Sequence, residues 1–432
     1  MLLSALLLLL LVSDAQATHF RGTMMTYYPA ETNSDGSISV ILRFRFNHQT
    51  CTDGTYGCSG NCGNESTILV NTKIEEESGS WCQSEKITTR LLPNNSPLQL
   101  AFSSNAWFTN LNGIVDWRAV TDVELRRRSD TKKSNSSPQT TVVPALRVPS
   151  NCGVNIPLLA FDPDGDQVQC RYASLSLTEC ASPCTPPPVL SLSSTCILSF
   201  RETSSSDEGW YVVQMVMEDF PRQPVTLTQT DGSQVAKTTK DAISRIPIQF
   251  PFLVDPAVSS CTEGYYRPRF VSPTPEHGAQ LSVVPSQAVA ISIQAEATNS
   301  VISELLLSGP NNVVKISSGS GSFTLTWKPS ASEEGQSHPI CFVVQATVST
   351  SVFQSALRCV VVNVKEPPVT HVRVLRMKIS TTLSLKDNRN AIQDSIKEEL
   401  ITNRGFPPFI TVRLLSDGSV VTTQQAPPSG QL

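Results

Sequence analysis

The 432-residue sequence has few charged residues and no bulk charge of either sign. Charged side chains make up 16% of the chain, and the formal net charge is −4. A chain this close to neutrality gives no electrostatic argument for nucleic acid as a partner. Helical periodicity is almost missing before residue 385, which argues against a helical fold.

Catalytic motifs are missing as well. The sequence has no G-x-S-x-G, no H-E-x-x-H and no G-x-x-x-x-G-K. Five histidines are present, and none lies in a recognisable nucleophile–base pattern: His19, His48, His277, His338 and His371. We therefore predict that the chain is not an enzyme. A secreted hydrolase stays as a third alternative, which requires two histidines beside a serine, aspartate or cysteine in a concave pocket.

Long apolar runs are also missing, so no transmembrane segment is predicted. The run Leu2–Val12 is too short to span a bilayer and precedes Ala15-Gln16-Ala17, a small-x-small pattern that signal peptidase recognises. The sequence thus predicts a signal peptide over residues 1–17, cleaved after Ala17, and a secreted, extracellular protein. Because the sequence ends abruptly, a truncated form of a membrane receptor is the alternative.

Cysteine, in contrast, is present in an even number. A secreted chain with twelve cysteines predicts six disulfides. The spacings Cys58-x-x-x-Cys62 and Cys180-x-x-x-Cys184 also suit zinc, but neither has a partnering pair with nearby histidines, and an oxidising compartment favours bridges. The predicted disulfide cysteines are Cys51, Cys58, Cys62, Cys82, Cys152, Cys170, Cys180, Cys184, Cys196, Cys261, Cys341 and Cys359.

Three sequons predict glycosylation and local exposure: Asn64-Glu65-Ser66, Asn94-Asn95-Ser96 and Asn135-Ser136-Ser137. The first and third lie in polar sequence typical of loops. Pro97 directly follows the second sequon, which makes it a poorer acceptor.

Short alternating strands separated by turn residues predict tandem disulfide-bonded β-sandwich domains. We divide the mature chain into an N-terminal β-rich domain with four cysteines (18–130), a sandwich (136–256), a second sandwich (258–365) and a C-terminal α+β segment (370–425). The two sandwiches hold five and three cysteines, so one bridge should join them, with Cys261 as a partner. Cys341 and Cys359 should pair across neighbouring strands.

The C-terminal segment differs in kind from the sandwiches. Val372–Leu385 has the pattern of a strand, residues 386–405 that of a helix, and Phe409–Leu415 that of a second strand. Ile392, Ile396 and Leu400 recur on one helical face, and Gly405 is placed to end the helix. This β-α-β segment is either a complete small domain or the first half of one.

Two family resemblances follow from these residues. Residues 136–365 resemble cadherin-like and immunoglobulin-like extracellular repeats, through Phe161-Asp162-Pro163-Asp164-Gly165-Asp166, Phe323-Thr324-Leu325-Thr326-Trp327 and Cys341-Phe342-Val343-Val344. The C-terminal strand and helix, with Asp417-Gly418-Ser419-Val420-Val421, resemble the first half of a SEA domain. Both resemblances imply extracellular adhesion or mucin-like proteins.

Asp162, Asp164 and Asp166 are the candidate metal ligands. Alternate carboxylates in a tight loop offer hard oxygen ligands to calcium, the cofactor that we consider for this chain. Asp-Pro-Asp-Gly is also favourable turn chemistry, so a plain hairpin turn is the competing interpretation.

A basic run over residues 126–133 is the other charged feature. It suits a solvated interdomain loop, a convertase cleavage site or a contact with a glycosaminoglycan. Leu125 weakens the convertase interpretation, because convertases usually require arginine at that position.

The sequence therefore predicts a secreted glycoprotein that acts as a binding or adhesion module, with calcium as the candidate rigidifying ion. Its predicted partner is an extracellular protein or glycan, and no nucleic acid is expected. A self-associating structural component of a matrix, egg coat or mucus layer is the alternative.

Overall fold

The computed structural model of the chain describes residues 20–52, 54–319, 321–366, 370–375, 387–406, 410–414 and 420–425. The predicted signal peptide and its cleavage site at Ala17 lie outside the described residues. The described residues fall into two compact units that divide between Lys365 and Glu366. No helix within the described ranges has both the length and the apolar content to cross a membrane.

Strands make up most of the first unit, which confirms the mainly β fold class. Residues 20–128 contribute β1 (Phe20–Thr32), β2 (Ile38–His48), β3 (Gly57–Gly60), β4 (Asn64–Glu77), β5 (Trp81–Leu92), β6 (Leu98–Asn105), β7 (Asp116–Val123) and β8 (Arg127–Arg128). Residues 146–255 contribute β9 (Leu146–Pro149), β10 (Val154–Pro157), β11 (Gln167–Tyr172), β12 (Leu190–Leu192), β13 (Ile197–Phe200), β14 (Gly209–Phe220), β15 (Val225–Thr228), β16 (Gln234–Lys237) and β17 (Arg245–Asp255). Residues 269–364 contribute β18 (Arg269–Val271), β19 (Ala279–Val283), β20 (Val289–Glu296), β21 (Val301–Ser308), β22 (Val314–Gly319), β23 (Ser322–Trp327), β24 (Ser337–Val348), β25 (Ser351–Gln354) and β26 (Arg358–Val364).

Strand β17 links the first two predicted domains in one sheet. It pairs antiparallel with β14 along most of its length. It also pairs with β1, where Met24 lies opposite Ile248, and with β7, where Asp122 lies opposite Arg245. The sheet runs β3-β6-β7-β17-β1-β2-β5-β4, with β9, β11 and β14 attached. The domain boundary expected near residue 130 stays a prediction. Strands β1 and β7, which precede it, pair with β17, which follows it.

The burial of β17 explains its central place. Its apolar residues Ile246, Ile248, Phe250, Phe252 and Val254 are all buried in one large core cluster. These alternate residues face one side of the strand, and Pro247, Gln249 and Pro251 are buried on the other, so β17 is covered on both faces. The two remaining small sheets of this region follow the orders β10-β13-β12 and β16-β15-β8.

Strand β2 buries both of its faces, although its alternating sequence is typical of a sheet with one solvated face. Phe44 and Phe46 enter an apolar cluster on one side. On the other side Arg43 and Arg45 are buried as well, because the buried Glu85 carboxylate accepts a hydrogen bond from each guanidinium at 3.4 Å. Arg43 also forms an ion pair with Glu333 at 3.0 Å, so that each buried charge has a partner, whereas a lone buried charge is costly.

Strands β18 to β26 form a β-sandwich, in agreement with the predicted fold class. One sheet has the order β18-β20-β23-β22, and the other β19-β26-β24-β21 with β25 beside β24. Their facing sides enclose a core that contains Ile291, Leu325, Trp327 and Phe342. The second sheet also buries its opposite face, since Val343 belongs to the large core cluster of the preceding regions.

Six disulfides pair all twelve cysteines, so the zinc interpretation of the two short spacings is wrong. Cys341 and Cys359 lie opposite each other on β24 and β26, which is the predicted pairing. Cys261 pairs with Cys152 and so joins the regions that were expected to share a bridge. The bridges are Cys51–Cys82, Cys58–Cys62, Cys152–Cys261, Cys170–Cys196, Cys180–Cys184 and Cys341–Cys359.

The second unit is a small α+β fold. It contains β27 (Thr370–Leu375), helix α1 (Arg389–Arg404), β28 (Thr411–Leu414) and β29 (Val420–Gln425), with the sheet order β27-β29-β28. Ile392, Ile396 and Leu400 form the buried face of α1, as the helical periodicity predicted, and this face packs against Ile410 and Val412. Helix α1 ends where Gly405 adopts a left-handed φ of 69°. Residues 415–419, which include part of the SEA-like segment, lie outside the described residues.

Candidate functional site

The basic run forms a tight hairpin over residues Arg127–Ser134, which we call the basic hairpin. Its ends are joined by an Arg127–Ser134 bridge, and the Arg128 N–H donates to the Lys133 carbonyl at 2.9 Å. Strand β8 within it pairs with β15, so that Arg128 lies opposite Leu227. The run is therefore a largely exposed hairpin turn, as its composition suggested, except that Arg128 and Ser134 are buried.

Arg128 points into the protein and is completely paired. Its five N–H groups donate to Asp130, Asp166 and Asn135, with distances of 3.0 and 2.8 Å to Asp130 and 2.6 Å to Asn135. Both oxygens of Asp166 accept from the same guanidinium. Burial disfavours the arginine charge, yet these bonds raise the pKa of Arg128 above its ordinary value. A protease cannot reach a peptide bond held in this way, which argues against convertase cleavage after Arg128.

The Asp-Pro-Asp-Gly-Asp segment is a turn, as one of the two interpretations predicted. The Asp162 side chain caps it by accepting hydrogen bonds from the Asp164 N–H at 2.8 Å and the Asp166 N–H at 3.3 Å. Gly165 supplies the positive φ of 85° that the turn requires. Turn geometry and metal binding do not exclude each other, because the turn also sets the direction of each carboxylate.

The three aspartates of the turn do not converge on one point. Asp164 turns away to accept a hydrogen bond from the Ser136 N–H at 2.6 Å. Asp162 and Asp166 instead meet Asp219 from β14, and one carboxylate oxygen of each lies within 4.8 Å of the others. We call Asp162, Asp166 and Asp219 the acidic cluster. Two of the three predicted ligands thus come together with a third that the sequence did not indicate.

Asp219 is fully buried and well supported. Its Oδ1 accepts from the N–H and the hydroxyl of Ser244, both at 2.7 Å, and its Oδ2 accepts from the Asn135 amide at 2.8 Å. Burial raises the pKa of Asp219 to about 7, although these hydrogen bonds oppose the shift. The same effect is larger at Asp162, where burial and the neighbouring carboxylates raise the pKa to about 9.

The Asp162 Oδ2 atom has no hydrogen-bond partner, and it is buried. A buried carboxylate oxygen without a partner is unfavourable unless it is protonated or bound to a cation. Arg128 neutralises Asp166, but no arginine or lysine within the described ranges forms an ion pair with Asp162 or Asp219. Protonation of Asp162 or binding of a cation would therefore stabilise the acidic cluster.

The sequons differ in exposure. Asn64 is exposed at the start of β4, in agreement with the expectation, and Asn94 is partly buried. Asn135 is 0% exposed, so the predicted exposure of this residue is wrong. Its amide is part of the polar network between Arg128 and Asp219, which explains why a sequence typical of loops is buried here. Glycosylation itself stays a prediction at all three positions.

A broad groove runs along the exposed side of the basic hairpin. Its volume is about 1030 Å³. The side chains Tyr28, Asn95, Arg127, Lys132, Lys133 and Gln229 are part of its lining, and we call it the basic groove. The hairpin therefore turns Arg128 toward the acidic cluster and three other cations toward the groove.

Two of the described histidines, His277 and His338, have lowered pKa values. His338 is buried with its ring centroid 4.8 Å from that of Trp327, and burial together with Arg43 and Arg45 lowers its pKa far below the usual range. Burial also lowers the pKa of His277. His19 lies outside the described residues. The expectation that the chain is not an enzyme stays a prediction.

No family model matches the chain, and no curated protein matches it. A solved endo-fucoidan hydrolase of glycoside hydrolase family 107 is 14% identical, with a TM-score of 0.19 over 70% of this chain and 39% of that chain. Immunoglobulin domains 1–4 of Sidekick-1 are 12% identical, with a TM-score of 0.17 over 85% of this chain and 88% of that one.

The extracellular domain of protocadherin GammaB4 is also 12% identical, with a TM-score of 0.17 over 79% of this chain and 61% of that one. TM-scores this low do not establish a common fold or function. The β-sandwich class rests on the strands and cores described above. The resemblances to immunoglobulin, cadherin and SEA domains stay predictions.

Proposed function

We propose that the chain is an extracellular binding or adhesion module whose partner is a protein or a glycan. Six disulfides favour an oxidising compartment, and bridges of this kind keep surfaces fixed outside the cell. The predicted signal peptide and the exposed Asn64 sequon support secretion as a glycoprotein. The resemblance to immunoglobulin-like and cadherin-like repeats agrees with this function.

The observation that carries the proposal is the basic groove. Its lining comes from β1, the basic hairpin, the end of β15 and residues 332–336, which are far apart in the sequence. A concave surface built from several rigid segments is preorganised, so that little conformational entropy is lost when a partner binds.

Calcium is part of the proposal as a rigidifying ion, bound by Asp162, Asp166 and Asp219. Hard carboxylate oxygens suit Ca²⁺, which takes six to eight oxygen ligands and fills weak sites at extracellular concentrations. The ion would replace the proton that Asp162 otherwise needs. Arg128 contacts Asp166 and Asn135 contacts Asp219, so an ion bound to these carboxylates would also stabilise the basic hairpin.

A calcium titration with the melting temperature as readout tests this part. We expect calcium to raise the melting temperature of the wild-type chain, since an ion at about 100 times its Kd adds roughly 2.7 kcal/mol. Asp162→Asn should abolish most of the rise, whereas the exposed Asp394→Asn should keep it. A wild-type melting temperature that is the same in calcium and in chelator would remove calcium from the proposal.

A binding screen tests the main proposal. The full chain, recovered from culture medium and immobilised on beads, should retain a cell-surface, matrix or glycan ligand. A sample that is reduced and alkylated controls for non-specific adsorption, because it loses the folded surface. A folded chain that retains nothing beyond this control would contradict the proposal.

Self-association in an extracellular layer is the second candidate, and the edges of two sheets favour it. Within the described residues β4 pairs with β5 alone and β22 with β23 alone. Ile68, Val70, Val314 and Ile316 on these edge strands are each more than half exposed. Apolar edge strands are ready templates for pairing with another chain. Light scattering at millimolar calcium should then show multimers that Ile316→Lys reduces, and a strict monomer would contradict this candidate.

A further inference from the structure

The basic groove carries three cationic side chains that no carboxylate neutralises. Arg127, Lys132 and Lys133 are exposed, and none of them forms an ion pair within the described part of the chain. The Arg127 Nε instead donates to the Lys132 carbonyl at 3.1 Å. Glu334 and Asp164 also line the groove, so three cations face two carboxylates there. The groove therefore keeps a positive balance on a chain that is negative as a whole.

These cations are held in place by the hairpin. Lys132 takes a left-handed φ of 61°, which closes the turn, and the buried Arg128 anchors the strand next to it. Strand β15, which pairs with β8 of the basic hairpin, is fixed too, because the Asn95 amide donates to the Thr228 carbonyl at 3.1 Å. A charge on a rigid segment loses less entropy on binding than one on a mobile loop.

The rest of the lining suits a polar, extended ligand. Thr228, Gln229, Thr230 and Ser332 supply hydroxyl and amide groups, and Pro29, Ala30 and Pro163 supply small apolar surfaces. Protein-binding hot spots are rich in large aromatic anchors, whereas the aromatic residue of this lining, Tyr28, is only 7% exposed and donates its hydroxyl to the Ser337 carbonyl. Small apolar patches between hydrogen-bonding groups match the faces and hydroxyls of sugar rings, and the cations match acidic substituents.

We infer that the basic groove binds a polyanionic glycan, a sulfated or carboxylated oligosaccharide, through Arg127, Lys132 and Lys133. The inference rests on the proposed binding function and names the partner class of that site. Arginine pairs with planar anionic groups through two hydrogen bonds, and lysine contributes a mobile point charge. The groove volume of about 1030 Å³ accommodates several sugar rings.

The test measures binding of a size-defined heparin oligosaccharide to the full immobilised chain at physiological salt. Wild type should bind, with an affinity that falls as salt rises because exposed charges are screened. The variant R127Q/K132Q/K133Q should bind at least about tenfold more weakly. The control R201Q/K240Q/K328Q removes three exposed cations elsewhere and should keep wild-type affinity. Equal losses in both variants would overturn the inference, since they would indicate non-specific charge attraction.

Two further measurements make the result decisive. Poly-glutamate tested at equal charge should bind more weakly than the oligosaccharide, and equal or tighter binding would replace the glycan with an acidic protein segment and overturn the inference. The groove variant should also lose the glycan ligand in the bead screen. If it keeps its cell-surface or matrix ligand there, the inference is wrong and the proposed function stands. If wild type retains nothing, both are wrong.

Discussion

Two regions of the first unit are held together by different forces. The sandwich of residues 258–365 encloses an apolar core around Trp327 and Phe342. The basic hairpin instead depends on Arg128, which bonds Asp130, Asp166 and Asn135 beneath the groove. Apolar packing responds little to pH or calcium, whereas a buried charge network responds to both. The two regions should therefore be separable by experiment.

The largest expected effect is in the sandwich. Trp327→Ala should lower the free energy of unfolding by about 3–5 kcal/mol, because the ring is 1% exposed and its N–H donates to Asn312 at 2.8 Å. Chemical denaturation measures the loss, and it should be the same with and without calcium. Ile316→Ala on the exposed strand β22 is the control and should change stability by less than about 0.5 kcal/mol. A loss at Trp327 that depends on calcium would break the comparison.

Arg128→Met should cost about 3 kcal/mol, since it leaves Asp166 buried without its partner. The adjacent Arg127→Met removes an exposed guanidinium from the same strand and should cost less than about 0.5 kcal/mol. Denaturation curves of the two variants measure the difference. Calcium should recover part of the Arg128 loss, because an ion can take over the compensating charge. Equal stability of the two variants would contradict the role assigned to Arg128.

The contribution of the acidic cluster to stability should depend on pH, whereas that of the sandwich core should not. The raised pKa values of Asp162 and Asp219, about 9 and about 7, mean that the folded chain binds more protons than the unfolded chain above the ordinary aspartate pKa. In chelator these groups should therefore make stability fall as pH rises from about 5 to 9. Asp162→Asn should flatten this slope, and calcium should flatten it in wild type. Parallel slopes for wild type and variant would show that the cluster does not hold the extra proton.

The smallest effect is expected at the exposed sequon, which belongs to neither region. Asn64→Gln should increase gel mobility by the loss of one glycan and change stability by less than about 0.5 kcal/mol. Asn135→Gln should leave the mobility unchanged, because this side chain is occupied by Asp219, and should destabilise the chain measurably. A mobility shift at Asn135 would show that glycosylation precedes burial there.

The sequence predicted what depends on local patterns. The short alternating strands predicted the β-sandwich class, and the helical period predicted the buried face of α1. The odd cysteine counts also predicted a joining bridge through Cys261, and the neighbouring strands predicted Cys341–Cys359. These features depend on residues that are close in sequence or on simple pairing of odd counts.

The candidate site could be predicted only in part. The Asp162–Asp166 turn is visible in the sequence, but Asp219 comes from a strand more than fifty residues away, and nothing in its surroundings indicates that it meets the turn. Arg127 and Arg128 are adjacent in a basic run, and only the strand pairing decides which of them is buried. Asn135 likewise has the polar neighbours of a loop residue. Tertiary contacts determine all three positions.

Because β17 lies late in the sequence, the N-terminal sheet is completed only late in synthesis. Strand β1 is synthesised first, yet Ile248, which lies opposite Met24, leaves the ribosome more than two hundred residues later. Until then the edge of the N-terminal sheet is open to pairing with other chains. Correct folding thus depends on the late pairing of β17 with β1. A chain that stops before residue 245 should depend on chaperones for its solubility in the secretory pathway.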